Sequence, residues 1–196
     1  MAKTLIFDLG GVLMEHNIPG CMDRFKKLMG DNFSKLGLGA DGEGTALMKQ
    51  YELGLVGTDE FIASVLEWCV PGTSAADIAE AWNSMHAGIP SERMECLKAL
   101  KSLGFRLGLI SNINDLHWKN VLDNVPGFGD IFDFKILSFE EHQAKPDKNL
   151  FLKAWKQAGC KTHEIIFVDD LKENRDAAGS MGIKTYASLL DLLQFI

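Results

Sequence analysis

The sequence predicts an α/β fold: a Rossmann-like, doubly wound parallel sheet carrying a small helical insertion after its first strand. Three observations lead there. Five short apolar runs, Thr4–Phe7, Phe105–Ile110, Phe132–Leu137, Ile165–Val168 and Ile183–Ala187, mostly lack alternation, as strands buried on both faces do. Amphipathic helical patterns separate most of them, which is the rhythm of a parallel sheet with helical crossovers. The stretch from about Glu15 to Ala87 breaks that rhythm, with helical periodicity and no convincing strand.

Taken in order, Thr4–Phe7 is a buried strand that runs directly into Asp8 and Gly10-Gly11. In the insertion, Phe61, Ile62, Val65, Leu66 and Cys69 form one helical stripe, started by Thr58-Asp59-Glu60. Ile78, Ala81, Trp82 and Met85 form a second, with Ser74 as its cap. Cys21–Met29 and Thr45–Leu53 supply two more helices. Gly30 to Gly44 carries five glycines and reads as a mobile loop. The expected division is a helical cap domain over residues 15–87 and an α/β core domain over residues 1–14 and 88–196. In the core, Met94, Leu97, Leu100 and Leu103 mark a helix capped by Ser91 and ended by Gly104. Leu150, Phe151, Ala154, Trp155 and Ala158 mark another, from Asp147 to Gly159, and Leu171 to Met181 is a third. No internal repeat or low-complexity segment interrupts the chain.

Composition narrows the function. The 196 residues suffice for one α/β domain with a sizeable core and a small insertion. At a net charge of -7 there is no basic field to hold nucleic acid or an anionic membrane, although a small anion can bind through local dipoles and one or two cations. Cys21, Cys69, Cys96 and Cys160 form no Cys-x-x-Cys pair and read as free thiols, as a reducing cytosol permits. The apolar stretch Leu5–Leu13 is interrupted by Asp8, which a signal peptide does not tolerate, and it is too short to span a membrane. A cytoplasmic protein is expected.

Four sites carry chemistry. Asp8 sits at the carboxyl end of a buried strand, where ligands of open α/β sheets bind, and Gly10-Gly11 let the backbone approach a phosphate or a metal. Ile165–Val168 ends in Asp169-Asp170, adjacent carboxylates that repel unless a cation compensates; hard oxygen ligands of this kind suit Mg²⁺. Lys145, fixed by Pro146 before a helix, can pair with Asp8 and with a phosphate oxygen. Ser111-Asn112, at the end of another strand, can hold phosphate oxygens through a hydroxyl and free backbone N–H groups. Each has an ordinary reading when taken singly: a strand-to-turn exit, an acidic helix start, a solvated lysine and a capping turn. It is their order along the chain, each at a strand end that one site requires, that argues for chemistry.

Through Phe7-Asp8-Leu9-Gly10-Gly11-Val12-Leu13, Leu109-Ile110-Ser111-Asn112, Lys145-Pro146-Asp147 and Phe167-Val168-Asp169-Asp170 with Asn174, nearly the whole chain resembles the haloacid dehalogenase-like hydrolases with a helical cap. Tyr51-Glu52-Leu53-Gly54, followed by Asp59-Glu60-Phe61, resembles the cap helices of that group. The resemblance implies a Mg²⁺-dependent phosphatase acting on a small phosphate ester through an aspartyl-phosphate on Asp8. It implies metal ligation by Asp8, the Gly10 carbonyl and Asp170 or Asp169, leaning to Asp170. It also implies a phosphoryl grip by Ser111, Asn112, Lys145 and Gly11.

One position departs from the pattern. Phosphatases of this family usually carry a second aspartate two residues after the nucleophile, to protonate the leaving group; here Gly10 stands there. Relatives with Asp-Leu-Gly-Asn at this point, among them sugar-phosphate phosphatases, share the glycine. Glu15 and His16 are candidate substitutes, against a plain reading as linker polarity; Asn114 and His117 lie near by sequence and receive no role. Two other readings compete: a metal-independent 2-haloacid dehalogenase, disfavoured by Asp169-Asp170, and a binding or regulatory protein that keeps the fold without turnover.

Overall fold

A buried run of apolar residues must have its backbone N–H and C=O groups paired by neighbouring chain, and here a sheet pairs them. In the computed structural model, which describes residues 3–37 and 43–195, the elements are β1 (Thr4–Phe7), β2 (Glu15–His16), α1 (Ile18–Met29), α2 (Glu43–Glu52), α3 (Thr58–Leu66), α4 (Ala75–Asn83), β3 (His86–Gly88), α5 (Ser91–Ser102), β4 (Arg106–Ser111), α6 (Asp115–Asn124), β5 (Phe134–Leu137), α7 (Ser138–Glu141), α8 (Lys148–Ala158), β6 (Ile165–Val168), α9 (Lys172–Gly179), β7 (Lys184–Tyr186) and α10 (Leu189–Leu193).

Five strands make one parallel sheet in the order β5-β4-β1-β6-β7. The chain leaves β1 for β4 and β5 on one side, then crosses to β6 and β7 on the other. The switch point therefore lies at β1, and the crevice beyond its carboxyl end is where such sheets bind ligands. In register, Phe7 stands opposite Leu109 of β4 and Val168 of β6, so Asp8, Ser111 and Asp169 all lie at one edge. Side chains alternate across the sheet. Leu5, Phe7, Leu109 and Val168 join Leu97, Leu100 and Trp118 in one buried layer, whereas Ile6, Ile110 and Phe167 join Leu150, Phe151 and Ala178 in the other.

The helices between β1 and α5 bury a third cluster, built on Phe25, Tyr51, Phe61, Ile78 and Trp82. Tyr51 and Phe61 stack at 4.2 Å and Phe61 packs on Trp82 at 4.9 Å. The end of α2 is fastened to the sheet's periphery: the Ser138 hydroxyl donates to the Glu52 carbonyl at 2.7 Å, and His142 Nδ1 bonds the Leu53 carbonyl at 2.9 Å. Gly54, at φ 64°, lies so close to the Phe139 carbonyl that a Cβ would stand 2.1 Å from its oxygen. Among the described residues no helix is long and apolar enough to cross a membrane.

Several local expectations change. The stretch from Glu15 to Ala87 does contribute to strands, because β2 pairs antiparallel with β3, setting His16 opposite His86. So short a ribbon of polar residues carries no readable alternation. Pro90, not Ser91, precedes α5, and the Ser91 hydroxyl bonds Glu92 instead. Leu103 lies beyond that helix and is 73% exposed; three-residue steps fall short of a 3.6-residue turn, so the stripe rotates off the buried face. Trp155 is 40% exposed at the edge of its helix's buried face. β4 begins at Arg106 and β5 at Phe134, later than the apolar runs suggest. Gly30–Leu36 is a 3₁₀ helix rather than a loop, and the rest of that glycine-rich stretch, residues 38–42, lies outside the described residues.

Candidate active site

The strand ends deliver a charged cluster around one buried lysine. The Asp8 N–H bonds the Val168 carbonyl at 2.8 Å, which carries the β1–β6 ladder one residue past the strand and holds Asp8 beside Asp169. Lys145 Nζ lies 2.8 Å from Asp8 Oδ1 and 2.7 Å from Asp169 Oδ2. Asn112 places the lysine: its side-chain amide accepts from the Lys145 N–H at 2.8 Å and donates to the Lys145 carbonyl at 3.1 Å.

The three carboxylates play different parts. Asp169 is fully buried and saturated, taking hydrogen bonds from Lys145, from Asn174 Nδ2 at 3.0 and 3.1 Å, and from the Leu171 N–H at 2.9 Å. Asp8 is almost buried, and both of its protein donors, the Leu9 N–H at 2.6 Å and Lys145, fall on Oδ1. Its Oδ2 has no protein donor among the described residues. Asp170 is exposed, and its carboxylate also has no donor among them. Its backbone is held instead: Arg175 Nη1 donates to the Asp169 and Asp170 carbonyls at 2.7 Å each. Carboxylate oxygens of all three lie within 4.8 Å of one another.

Three carboxylates against one lysine leave negative charge uncompensated. The Asp8 carboxyl is raised to about 7: burial pushes it up most, Lys145 pulls it down, and Asp169 adds a further push up. A divalent cation with hard oxygen ligands fits this donor set. The Gly10 carbonyl, the Asp8 Oδ2 and the Asp170 carboxylate are the oxygens here that accept no hydrogen bond from described residues.

All the sequence-predicted residues, Asp8, Gly10, Gly11, Ser111, Asn112, Lys145, Asp169 and Asp170, lie at this one edge, and two of them make contacts the sequence does not announce. Gly11 belongs to the phosphoryl grip that the resemblance implies; its own N–H is engaged by the Met14 carbonyl at 2.9 Å. Glycine is needed at 11 for another reason: φ is +71°, and a Cβ would stand 2.5 Å from Asp170 Oδ2. Asn112 contributes its side chain as the lysine's bracket, in addition to any backbone contact. Ser111, buried at the end of β4, has no hydroxyl partner among the described residues.

Over this edge lies a cavity of about 500 Å³, shared by Gly10, Asn112 and Lys145 with residues of the helical insertion. Lys49 and Glu52 of α2, Trp82 of α4, and His16, His86 and His117 line it. His117 Nε2–H donates to the Trp82 carbonyl at 2.9 Å, so its Nδ1 is the acceptor for His86 Nε2 at 3.1 Å and for the Asn114 amide at 3.1 Å. Burial above all pushes His117 down to about 4 and His86 down to about 3, so both rings are neutral at ordinary pH. Glu15 points elsewhere, to Arg93 at 3.3 Å. Sequence reasoning missed Trp82, His86 and Arg175 as parts of the site. Of these only Arg175 left a signal: paired carboxylates at a loop need donors, and a helix carrying Asn174-Arg175 follows them directly.

The comparisons with known proteins agree with this geometry. Residues 2–182 match the family described as haloacid dehalogenase-like hydrolase. The D-ribitol-5-phosphate phosphatase of Bacteroides thetaiotaomicron is 24% identical over 198 aligned positions, which cover 95% of this chain and 91% of that protein. The crystal structure of the enzyme bt-2542 of the same organism, in complex with magnesium and inorganic phosphate, superposes with a TM-score of 0.84 at 33% identity, covering 95% of this chain and 93% of the other. The L-2-haloacid dehalogenase of Xanthobacter autotrophicus, at 17% identity, a TM-score of 0.62 and coverage of 94% and 76%, shares the fold alone. A buried carboxylate-lysine-carboxylate edge on a parallel sheet, a family match over nearly the whole chain and a close superposition together place this protein in the haloacid dehalogenase-like hydrolases.

Proposed function

We propose that this hydrolase is a Mg²⁺-dependent phosphatase that cleaves a small phosphorylated metabolite, of the sugar-phosphate or polyol-phosphate kind, through an aspartyl-phosphate on Asp8. The observation that carries the reading is the division of labour among the carboxylates: Lys145 and Asn174 saturate Asp169, whereas Asp8 Oδ2 and Asp170 are left open beside a carbonyl. The phosphatase activity of one relative and the magnesium and phosphate bound to another support it.

In this reading Asp8, the Gly10 carbonyl and Asp170 would hold the Mg²⁺, with Asp169 behind them as the residue that positions Lys145. When bound, the ion supplies the positive charge that three carboxylates and an incoming phosphate demand. The chain's own residues do the rest. Asp8 Oδ2 attacks phosphorus. Lys145 keeps Asp8 Oδ1 in place and neutralises a non-bridging phosphoryl oxygen, while the Ser111 hydroxyl and the Asn112 N–H grip the others. Residues 15–87 serve as a cap domain over the core of residues 1–14 and 88–196. Trp82, Met48 and Met85 give the cavity an apolar wall, while Lys49, Glu52 and the histidines offer polar contacts, a mixture suited to a hydroxylated carbon chain.

The test is a panel of sugar and polyol phosphates with p-nitrophenyl phosphate, assayed for phosphate release with Mg²⁺ and with chelator. Expected is release that requires Mg²⁺ and disappears in Asp8→Asn. Chloride release from 2-chloropropionate without metal would instead make the protein a dehalogenase. Silence across both assays would make it a binding protein.

A further inference from the structure

Gly10 and Gly11 are glycines for different reasons, and the difference points to a catalytic residue. Gly11 needs its positive φ; Gly10 does not adopt that conformation, so its backbone would accept a side chain. What occupies that space is the tip of the His16 side chain. A Cβ built on Gly10 would stand 2.6 Å from His16 Nε2 and 2.7 Å from Cε1, and, chain neighbours aside, no atom of another described residue comes nearer than 3.9 Å. The imidazole edge thus fills the volume that a side chain on residue 10, two positions from the nucleophile, would occupy.

The chain delivers the ring there by local structure. The Leu13 and Met14 N–H groups both bond the Leu9 carbonyl, at 2.8 and 2.7 Å, and Gly11 bonds Met14, which folds the chain back over Gly10. β2 begins at the next residue, and its pairing with β3 sets His16 against His86, their rings 5.4 Å apart. His86 is fixed in turn by His117. His16 itself is exposed and lines the same cavity as Gly10, Asn112 and Lys145. Lys145 is bound between two carboxylates and His117 is bonded on both ring nitrogens, so neither can shuttle a proton at the mouth.

Resting on the phosphatase reading, we propose that His16 is the acid–base residue of both half-reactions. As Asp8 Oδ2 bonds to phosphorus, the P–O ester bond breaks, its electron pair goes to the departing oxygen, and that oxygen takes the proton from His16 Nε2. In the second half a water oxygen attacks the phosphorus of the aspartyl-phosphate and gives its proton to His16. The Asp8–phosphorus bond breaks, returning the carboxylate. Ester and water become alcohol and inorganic phosphate, and His16 ends as it began.

The experiment is a series of substituted phenyl phosphates, from p-nitrophenyl to unsubstituted phenyl, assayed with Mg²⁺ on wild type, His16→Ala and His16→Gln. The quantity read is kcat/KM, which reports steps through departure of the leaving group. A nitrophenolate needs a proton far less than a phenolate does. Expected is a loss in both variants that grows along the series, at least about ten-fold larger for phenyl than for p-nitrophenyl phosphate, within the roughly 10²–10⁴-fold that general acid–base catalysis supplies. Adding Gly10→Asp to His16→Ala, which puts a carboxyl into the vacated volume, is expected to recover part of the phenyl phosphate rate. A loss that is uniform along the series, or the same loss with no recovery by Gly10→Asp, overturns the assignment and leaves His16 as a wall of the cavity. Wild type that turns over none of the series overturns the phosphatase reading and this assignment with it.

Discussion

The sheet edge and the histidine wall face each other across one cavity, and they manage polar groups in opposite ways. At the edge, charge is concentrated and held: Lys145 is bonded to two carboxylates, Asp169 is saturated, and Arg175 pins the loop beneath. On the wall, charge is suppressed: His86 and His117 are kept neutral by burial, bonded to each other and stacked near Trp82, whose ring lies 5.3 Å from that of His117. The edge suits the phosphoryl group that every phosphate ester shares. The wall suits the uncharged remainder that differs from ester to ester. In the proposed reading the strand ends grip the phosphoryl group, whereas the wall, shared by the insertion and α6, meets the remainder and adds His16 to the chemistry.

The sharpest way to break that division is to remove the proposed nucleophile. Asp8→Asn is expected to lower phosphate release by at least about 10³-fold while leaving the far-ultraviolet circular dichroism spectrum unchanged. If turnover survives, the edge is not where the reaction happens, and the comparison collapses. Asn112→Ala tests the same region more gently. It removes both bonds that bracket the Lys145 backbone, and a lysine displaced by an ångström is expected to cost about 10²-fold in kcat. That loss should be the same for every ester in a panel, because the phosphoryl group does not vary. A loss that depends on the ester would show that Asn112 belongs to the wall.

Gly11→Ala asks how the edge holds its cation. The added methyl enters the space of the Asp170 carboxylate, at a backbone angle that strains any other residue. The expected result is a Mg²⁺ requirement raised about 10–100-fold in activity titrations, with most of the rate recovered at saturating metal. No change in the Mg²⁺ dependence would remove Asp170 from the metal site.

These residues were legible in the sequence for a physical reason. Asp8, Ser111 and Asp169-Asp170 each end an apolar run, so the change from buried strand to polar turn marks them, and parallel pairing then gathers the ends. The wall left no such mark. His86, at the start of β3, and His117, on α6, are 31 residues apart in sequence, and β2 is too short to show a period. Gly10 was legible as an irregularity but not as a cause, since nothing in the chain's order says that an imidazole six positions on returns to fill its space. Trp82 reads correctly as a core residue of its helix; that its carbonyl also sets the tautomer of His117 depends on three-dimensional packing alone.

The smallest expected effect separates the two regions by the sign of their pH dependence. His86 and His117 have folded values of about 3 and 4, below the ordinary value of 6.5 that the unfolded chain retains. Below 6.5 the unfolded state therefore binds protons that the native state refuses. Stability contributed by the wall is complete above that value and is lost as the pH falls toward the folded values. Asp8 has the opposite sign: its value of about 7 lies above the ordinary 3.8, so in metal-free protein it favours the native state at low pH and loses that contribution as the pH rises through 7. Urea unfolding of Asp8→Asn in chelator silences the edge and exposes the wall. Between pH 7 and 5.5 the unfolding free energy of that variant is expected to fall by about 2 kcal/mol, roughly 1 from each histidine. Wild type in chelator should fall by less, because Asp8 opposes the histidines. If the two proteins lose stability equally, the edge carboxylate is not as poorly compensated as its burial implies. If neither loses any, the wall is not neutral, and the contrast between a charged edge and an uncharged wall fails at its second half.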